Sequence, residues 1–189
     1  MAEGRGIMAW KLKKTVVLVG MMGAGKTAVG KALAAKLGVP FLDSDAEIVS
    51  AANMEIAEIF TRDGEAFFRQ KETQVIERLL SAAPCVLSTG GGAFLAERNR
   101  EMISEKGVAV CLKADLQLLW NRVKHKDTRP LLKTEDPFAT LSKIYEKRAP
   151  IYAMADLKVP VEPSYSIEMT RDKVVEALVT RPDVLEMPK

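Results

Sequence analysis

The sequence predicts a three-layer α/β fold, a five-stranded parallel sheet flanked by helices, and three of its features do so. Short β-rich runs alternate along the chain with longer segments of helical period. The runs are apolar nearly throughout rather than at alternate residues, as strands covered on both faces are. A glycine-rich loop follows the first run and leads directly into a helical pattern, the usual order at the start of a βαβ unit.

In chain order, the first strand is TVVLVG at Thr15–Gly20, followed by a helix over AVGKALAAKLG. PFLDSD at Pro40–Asp45 is the second strand, and a long helical stretch runs from there through Leu80. CVLST at Cys85–Thr89 is the third strand, with a helix near Leu95–Lys106, and VAVCLK at Val108–Lys113 is the fourth. Helices follow near Asp115–Val123 and Pro137–Met154, then a fifth strand, DLKVPV, and a last helix near Ile167–Val179. No repeat or Gly/Ser linker divides the chain, so a single domain is expected, its core spanning about residues 12–180. Met1–Lys11 and the tail RPDVLEMPK have no obvious element to pair with, and both are expected to fray. The polar, proline-punctuated segment over residues 123–136 is longer than an ordinary connection and reads as a mobile lid.

Composition narrows the function. The 189 residues are 48% apolar and 28% charged with a mean hydropathy of -0.01, a globular balance. No run approaches the about 20 apolar residues of a membrane span, and MAEGRGIMAWKLKKT lacks the apolar core of a secretory leader. A cytoplasmic protein without membrane contact is expected. The net charge of +3 comes from 28 basic and 25 acidic residues spread along the chain, so nucleic acid is not an expected partner. Cys85 and Cys111 each lie in an apolar run and read as buried free thiols. With His125 the one histidine, neither a zinc site nor a histidine triad can be assembled, which leaves carboxylates, arginine, lysine and backbone to carry chemistry.

The segment Gly20-Met21-Met22-Gly23-Ala24-Gly25-Lys26-Thr27 satisfies G-x-x-x-x-G-K-[ST] between a strand and a helix. Such a phosphate-binding loop (P-loop) turns successive N–H groups onto phosphate oxygens, and the helix N-terminus adds positive potential. Gly23, Ala24, Gly25, Lys26, Thr27 and Ala28 are therefore the expected ATP contacts, with Lys26 reaching the β- and γ-phosphates and Thr27 offering its hydroxyl to Mg²⁺. Asp43-Ser44-Asp45 stands at the C-terminal end of the second strand, where open parallel sheets bind ligands. Still in strand, its two carboxylates would point the same way; Asp43 is assigned to magnesium and Asp45 to a substrate hydroxyl. The plainer alternative is that Asp43 or Ser44 caps the following helix.

The P-loop is generic. Together with DSD, FRQKE at Phe68–Glu72, TGGGAF at Thr89–Phe94, RPLL at Arg129–Leu132 and EKRAPIY at Glu146–Tyr152, it resembles the shikimate kinases, with all the motifs in order from Thr15 to about Val161. The resemblance implies a P-loop NTPase fold of the nucleoside-monophosphate-kinase type and transfer of the γ-phosphoryl group of ATP to the 3-hydroxyl of shikimate, on the route to chorismate and the aromatic amino acids. It also implies that Arg129 reaches the phosphates from the lid and that Arg122 stacks on adenine. Shikimate is a carboxylate bearing three hydroxyls, and Arg69 and Arg148 form a reasonable bidentate clamp for it. Ion pairs of Arg69 with Glu65 or Glu72 at helical spacing, and of Arg148 with its neighbours Glu146 or Asp156, are the structural alternatives. Gly90, Gly91 and Gly92 offer bare N–H groups to a substrate hydroxyl or phosphate; otherwise they form a plain strand-to-helix turn.

Thus Lys26, Asp45 and Arg129 are the expected catalytic set, with Thr27 and Asp43 on Mg²⁺. Lys124, Lys126 and Lys133 read as solvated neighbours of Arg129, His125 as an exposed lid residue, and Ser164–Ser166 as a region near adenine. A monomer acting on ATP and shikimate is expected. The rival readings are a P-loop kinase of gluconate, another hydroxy acid or a nucleoside monophosphate, and a regulatory module that binds nucleotide without transfer.

Overall fold

The structure, a computed structural model, describes residues 9–189. Strand β1 (Lys11–Leu12) precedes β2 (Thr15–Val19), after which the P-loop opens α1 (Lys26–Leu37). Then come β3 (Phe41–Asp43), α2 (Ser44–Ala52) and α3 (Ile56–Leu80), followed by β4 (Val86–Ser88), α4 (Glu97–Lys106) and β5 (Gly107–Lys113). The chain ends through α5 (Leu116–Val123), α6 (Pro137–Tyr152), β6 (Leu157–Pro160), α7 (Ile167–Leu178) and β7 (Leu185–Glu186).

Five strands form one parallel sheet in the order β3-β4-β2-β5-β6. The inner strands are covered by helices on both faces: Val16, Val17 and Leu18 are fully buried, as are Val108 and Val110 beside them, while the edge strands β3 and β6 are partly exposed. Strand β2 lies between β4 and β5, so the chain diverges to either side of its C-terminal end. That topological switch opens the crevice in which such sheets bind ligands, and the P-loop starts there.

Two sequence-based expectations are corrected. The long helical stretch before Leu80 is not continuous: Asn53, with φ 49°, ends α2, and α3 kinks at Gly64 (φ 84°, ψ 170°), a backbone conformation that favours glycine. The tail does not fray as a whole. Leu12 pairs antiparallel with Leu185, Lys13 donates its N–H to the Val184 carbonyl, and the Val184 and Leu185 side chains are buried. An apolar pair within an otherwise polar tail found a place in the core. Residues 1–8 of the expected frayed N-terminus lie outside the described residues.

Candidate active site

The P-loop glycines have the backbone the motif requires: Gly20, Gly23 and Gly25 have φ of 139°, 83° and 97°. Gly25 ends the loop as the N-cap of α1, so the first turn of that helix faces the crevice. Lys26 folds back over the loop and donates to the carbonyl oxygens of Gly20 (2.7 Å) and Met21 (3.0 Å). Burial of this ammonium pulls its pKa down from 10.5 to about 8, and the charge of Arg129 pushes the same way. From α5, Arg122 donates to the carbonyls of Gly23 (3.1 Å) and Ala24 (3.3 Å), tying that helix to the loop.

A cavity of about 600 Å³ opens over this loop, large enough for a nucleotide and a small acceptor. Its wall holds Gly23 through Ala28, Asp43, Asp45, Gly90, Gly91, Arg122 and Arg129. Arg129 begins a short 3-10 turn, Pro130–Leu132, whose Leu132 is buried, so part of the expected lid is anchored. The Arg129 Nε is buried without a hydrogen-bond partner, an unmet donor at the cavity edge. Lys126 is exposed, as read from sequence, and also borders the same cavity. Tyr165, Ser166, Ile167 and Thr170 close the far end, and the Ser166 hydroxyl is already taken as the N-cap of α7.

The DSD segment bends differently from expectation. Strand β3 ends at Asp43, whose Oδ1 accepts the Ala46 N–H (3.0 Å) as the N-cap of α2, so Asp45 stands in the first helical turn and not in strand. The capping alternative holds for Asp43; Ser44 is buried and accepts the Gly90 N–H (3.2 Å). The Asp45 carboxyl pKa is raised by burial and by the neighbouring Asp43, against the pull of Arg69 and Lys26.

The glycine turn explains three residues at once. None of Gly90, Gly91 and Gly92 has a positive φ, so backbone conformation does not demand glycine there. Close approach does. A Cβ on Gly90 would lie 2.7 Å from Asp45 Oδ1, one on Gly91 would lie 3.1 Å from Arg148 Nη1, and one on Gly92 would overlap the Arg69 guanidinium. Each glycine gives room to one side chain: Asp45 from α2, Arg148 from α6 and Arg69 from α3. The Gly90 N–H already donates to the Ser44 hydroxyl, while Gly90 itself lines the cavity and leaves room for Asp45.

Arg69 also makes the ion pairs weighed against a binding role, at 2.8 Å to Glu72 and 3.6 Å to Glu65. Glu72 is only 1% exposed, and burial raises its pKa while the Arg69 hydrogen bond lowers it, so the pair holds the guanidinium against the turn. Sequence reading had no signal to tell this from a surface pair. Arg148 makes no ion pair among the described residues; Asp156 instead accepts the Ser104 hydroxyl and the Ala109 N–H. Cys85 and Cys111 are buried free thiols, and burial pushes the latter up to about 11. Among the described residues, no helix is long and apolar enough to cross a membrane.

A P-loop at the central strand, facing carboxylates and arginines across one cavity, defines a small-molecule kinase of the P-loop class. The family model for shikimate kinase matches residues 22–179. The chain is 71% identical to a shikimate kinase of Ruegeria pomeroyi, over 93% of this chain and 90% of that one. It is 65% identical to a shikimate kinase of Cereibacter sphaeroides, over 97% and 92%. The solved shikimate kinase from Acinetobacter baumannii in complex with shikimate superposes with a TM-score of 0.80 at 36% identity, covering 88% of this chain and 93% of that one. The chain belongs to the shikimate kinase family and is an enzyme that phosphorylates shikimate with ATP.

Proposed function

We propose that the γ-phosphoryl group of ATP, held over the P-loop by Gly23–Ala28, passes to the 3-hydroxyl of shikimate seated between Asp45, Arg69, Arg148 and the glycine turn. The observation that carries this reading is the close approach of Asp45, Arg148 and Arg69 to three successive glycines, of which Gly90 and Gly91 line one cavity with Asp45 and Lys26. Arg69 and Arg148 take the acceptor carboxylate. Asp45, whose proton affinity is raised, orients the hydroxyl and accepts its proton. Lys26 and Arg129 balance the charge that spreads over the transferring group, Arg129 using the donor that is unmet in this structure. Arg122 and Ser166 border the adenine end, and Lys126 adds a cation beside the phosphates.

Thr27 and Asp43 suit Mg²⁺, which binds through one or two protein oxygens and completes its shell with phosphate and water. Both line the cavity, and the N-cap bond occupies one Asp43 oxygen while the other has no protein partner among the described residues. When bound there, the ion neutralises phosphate charge.

Every residue of the site comes from one chain, so a monomer suffices, and two buried free thiols suit a reducing cytoplasm where ATP is available. The decisive assay couples ADP release to a panel of shikimate, gluconate and nucleoside monophosphates with Mg²⁺ and ATP. Turnover is expected with shikimate alone. Comparable kcat/KM with gluconate would overturn the acceptor assignment, and ATP binding without transfer to any acceptor would favour a regulatory module.

A further inference from the structure

The tyrosine of the R-A-P-I-Y run is left without a role by the reading above. Tyr152 ends α6 one helical turn after Arg148, so the two side chains share a face. Its ring is 3% exposed and stacks on buried Phe94, with centroids 6.5 Å apart and planes tilted by 20°. A phenylalanine would fill this site equally well. The hydroxyl has a particular partner, however: it donates to the carbonyl oxygen of Gly91, in the middle of the glycine turn.

A peptide between two glycines turns over at little steric cost, because neither neighbour carries a Cβ to oppose it. The carbonyl of Gly91 and the N–H of Gly92 belong to one planar trans peptide and point in opposite directions. A hydroxyl that holds the carbonyl therefore also selects the direction of the Gly92 N–H. The same turn receives Arg148 against Gly91 and Arg69 against Gly92, so a flip would disturb both guanidinium groups.

We propose that Tyr152 is a positioning residue for the acceptor: its hydroxyl, bonded to the Gly91 carbonyl, locks the Gly91–Gly92 peptide in the one orientation that lets Arg148, Arg69 and the Gly92 N–H face shikimate together. Burial raises the pKa of the phenol, which keeps it a donor across the working pH range. This inference rests on the acceptor-site reading above.

Tyr152→Phe keeps every ring contact and deletes the bond to Gly91, together with the hydroxyl's interaction with Arg148 beside the same turn. Gly91 is half-buried, and leaving its carbonyl without this donor frees the peptide to turn, an effect read as a tenfold change, or about 1.4 kcal/mol. The shikimate KM is expected to rise roughly tenfold, while the ATP KM stays within twofold and kcat falls less than the shikimate KM rises. Tyr152→Leu, which also lacks the hydroxyl but gives up the ring, is expected to show the same split with a lower Tm. A shikimate KM within twofold of wild type, or parallel rises in both KM values, overturns the proposal, since merely structural damage does not separate the substrates. Arg148→Ala is measured alongside. A raised shikimate KM in Arg148→Ala but not in Tyr152→Phe defeats this inference alone, whereas no rise in either defeats the acceptor-site reading and this inference with it.

Discussion

Asp45 and Lys26 are tuned in opposite directions by one cavity. For Asp45, burial and the Asp43 charge outweigh Arg69 and Lys26, and the carboxyl becomes a better proton acceptor. Asp45→Asn keeps the shape and loses the base: transfer to shikimate is expected to fall by roughly 10²–10⁴ with Mg²⁺-ATP affinity within a few fold. Asp43→Asn is expected to raise the Mg²⁺ needed for half-maximal rate instead. Titrating Mg²⁺ against rate in both variants separates the roles, and recovery of Asp45→Asn at high metal would reverse them. For Lys26, whose ammonium is pulled down to about 8, the free enzyme loses the charge first as pH rises. A basic limb in kcat/KM for ATP is therefore expected near pH 8, absent in Lys26→Arg, while the limb in kcat lies higher because bound phosphate restores the ammonium. The linked effect on folding has the sign of a depressed lysine. Between about 8 and the ordinary 10.5 the unfolded chain binds more protons, so this group's contribution to stability rises with pH.

At the scale of elements, the segment between α5 and α6 matters most. It carries Lys126 and Arg129 into the cavity, yet its Leu132 is buried and its Thr134 hydroxyl bonds to Thr140 on α6 (2.7 Å). Closure would therefore move a short, partly anchored strap rather than a free loop. Arg129→Ala is expected to lower kcat by about 10²–10³, the range for losing a preorganised donor, with little change in shikimate KM. A raised shikimate KM at constant kcat would place Arg129 in the acceptor pocket. Lys126→Ala should act differently, raising the ATP KM several-fold and flattening its dependence on salt, as expected for an exposed cation near phosphates. Limited proteolysis within 124–136 should slow when ATP and shikimate are added together.

Across the whole molecule, the first and last strands of the described residues meet. The Lys13 ammonium donates to the Pro182 carbonyl (3.0 Å), 169 residues away, and pairs with Glu186 (3.1 Å), while Val184 and Leu185 fill the adjoining core. The exposed ion pairs contribute little; the burial is what stabilises. Leu185→Ala is expected to destabilise by about 2–4 kcal/mol in denaturant unfolding with kcat and both KM values unchanged. A stability change under about 0.5 kcal/mol would show that the closure is unimportant.

What the sequence by itself determined is whatever depends on neighbours along the chain. The P-loop was legible because its glycines, its lysine and the N-terminus of α1 are contiguous, and the three inner strands β2, β4 and β5 because burial on both faces makes them almost continuously apolar. Asp43 was placed at the strand end correctly, but the chemistry that makes it an N-cap turned Asp45 into a helical residue. Only the tertiary structure decided that Arg69, already paired with Glu72, also faces the turn, and that Gly90, Gly91 and Gly92 each answer a different side chain. It also decided that two-residue strands at opposite ends of the chain pair, for such strands are too short to show a period. Those contacts join residues far apart in sequence, and a close approach between distant side chains and a bare backbone leaves no periodicity in the chain that makes it.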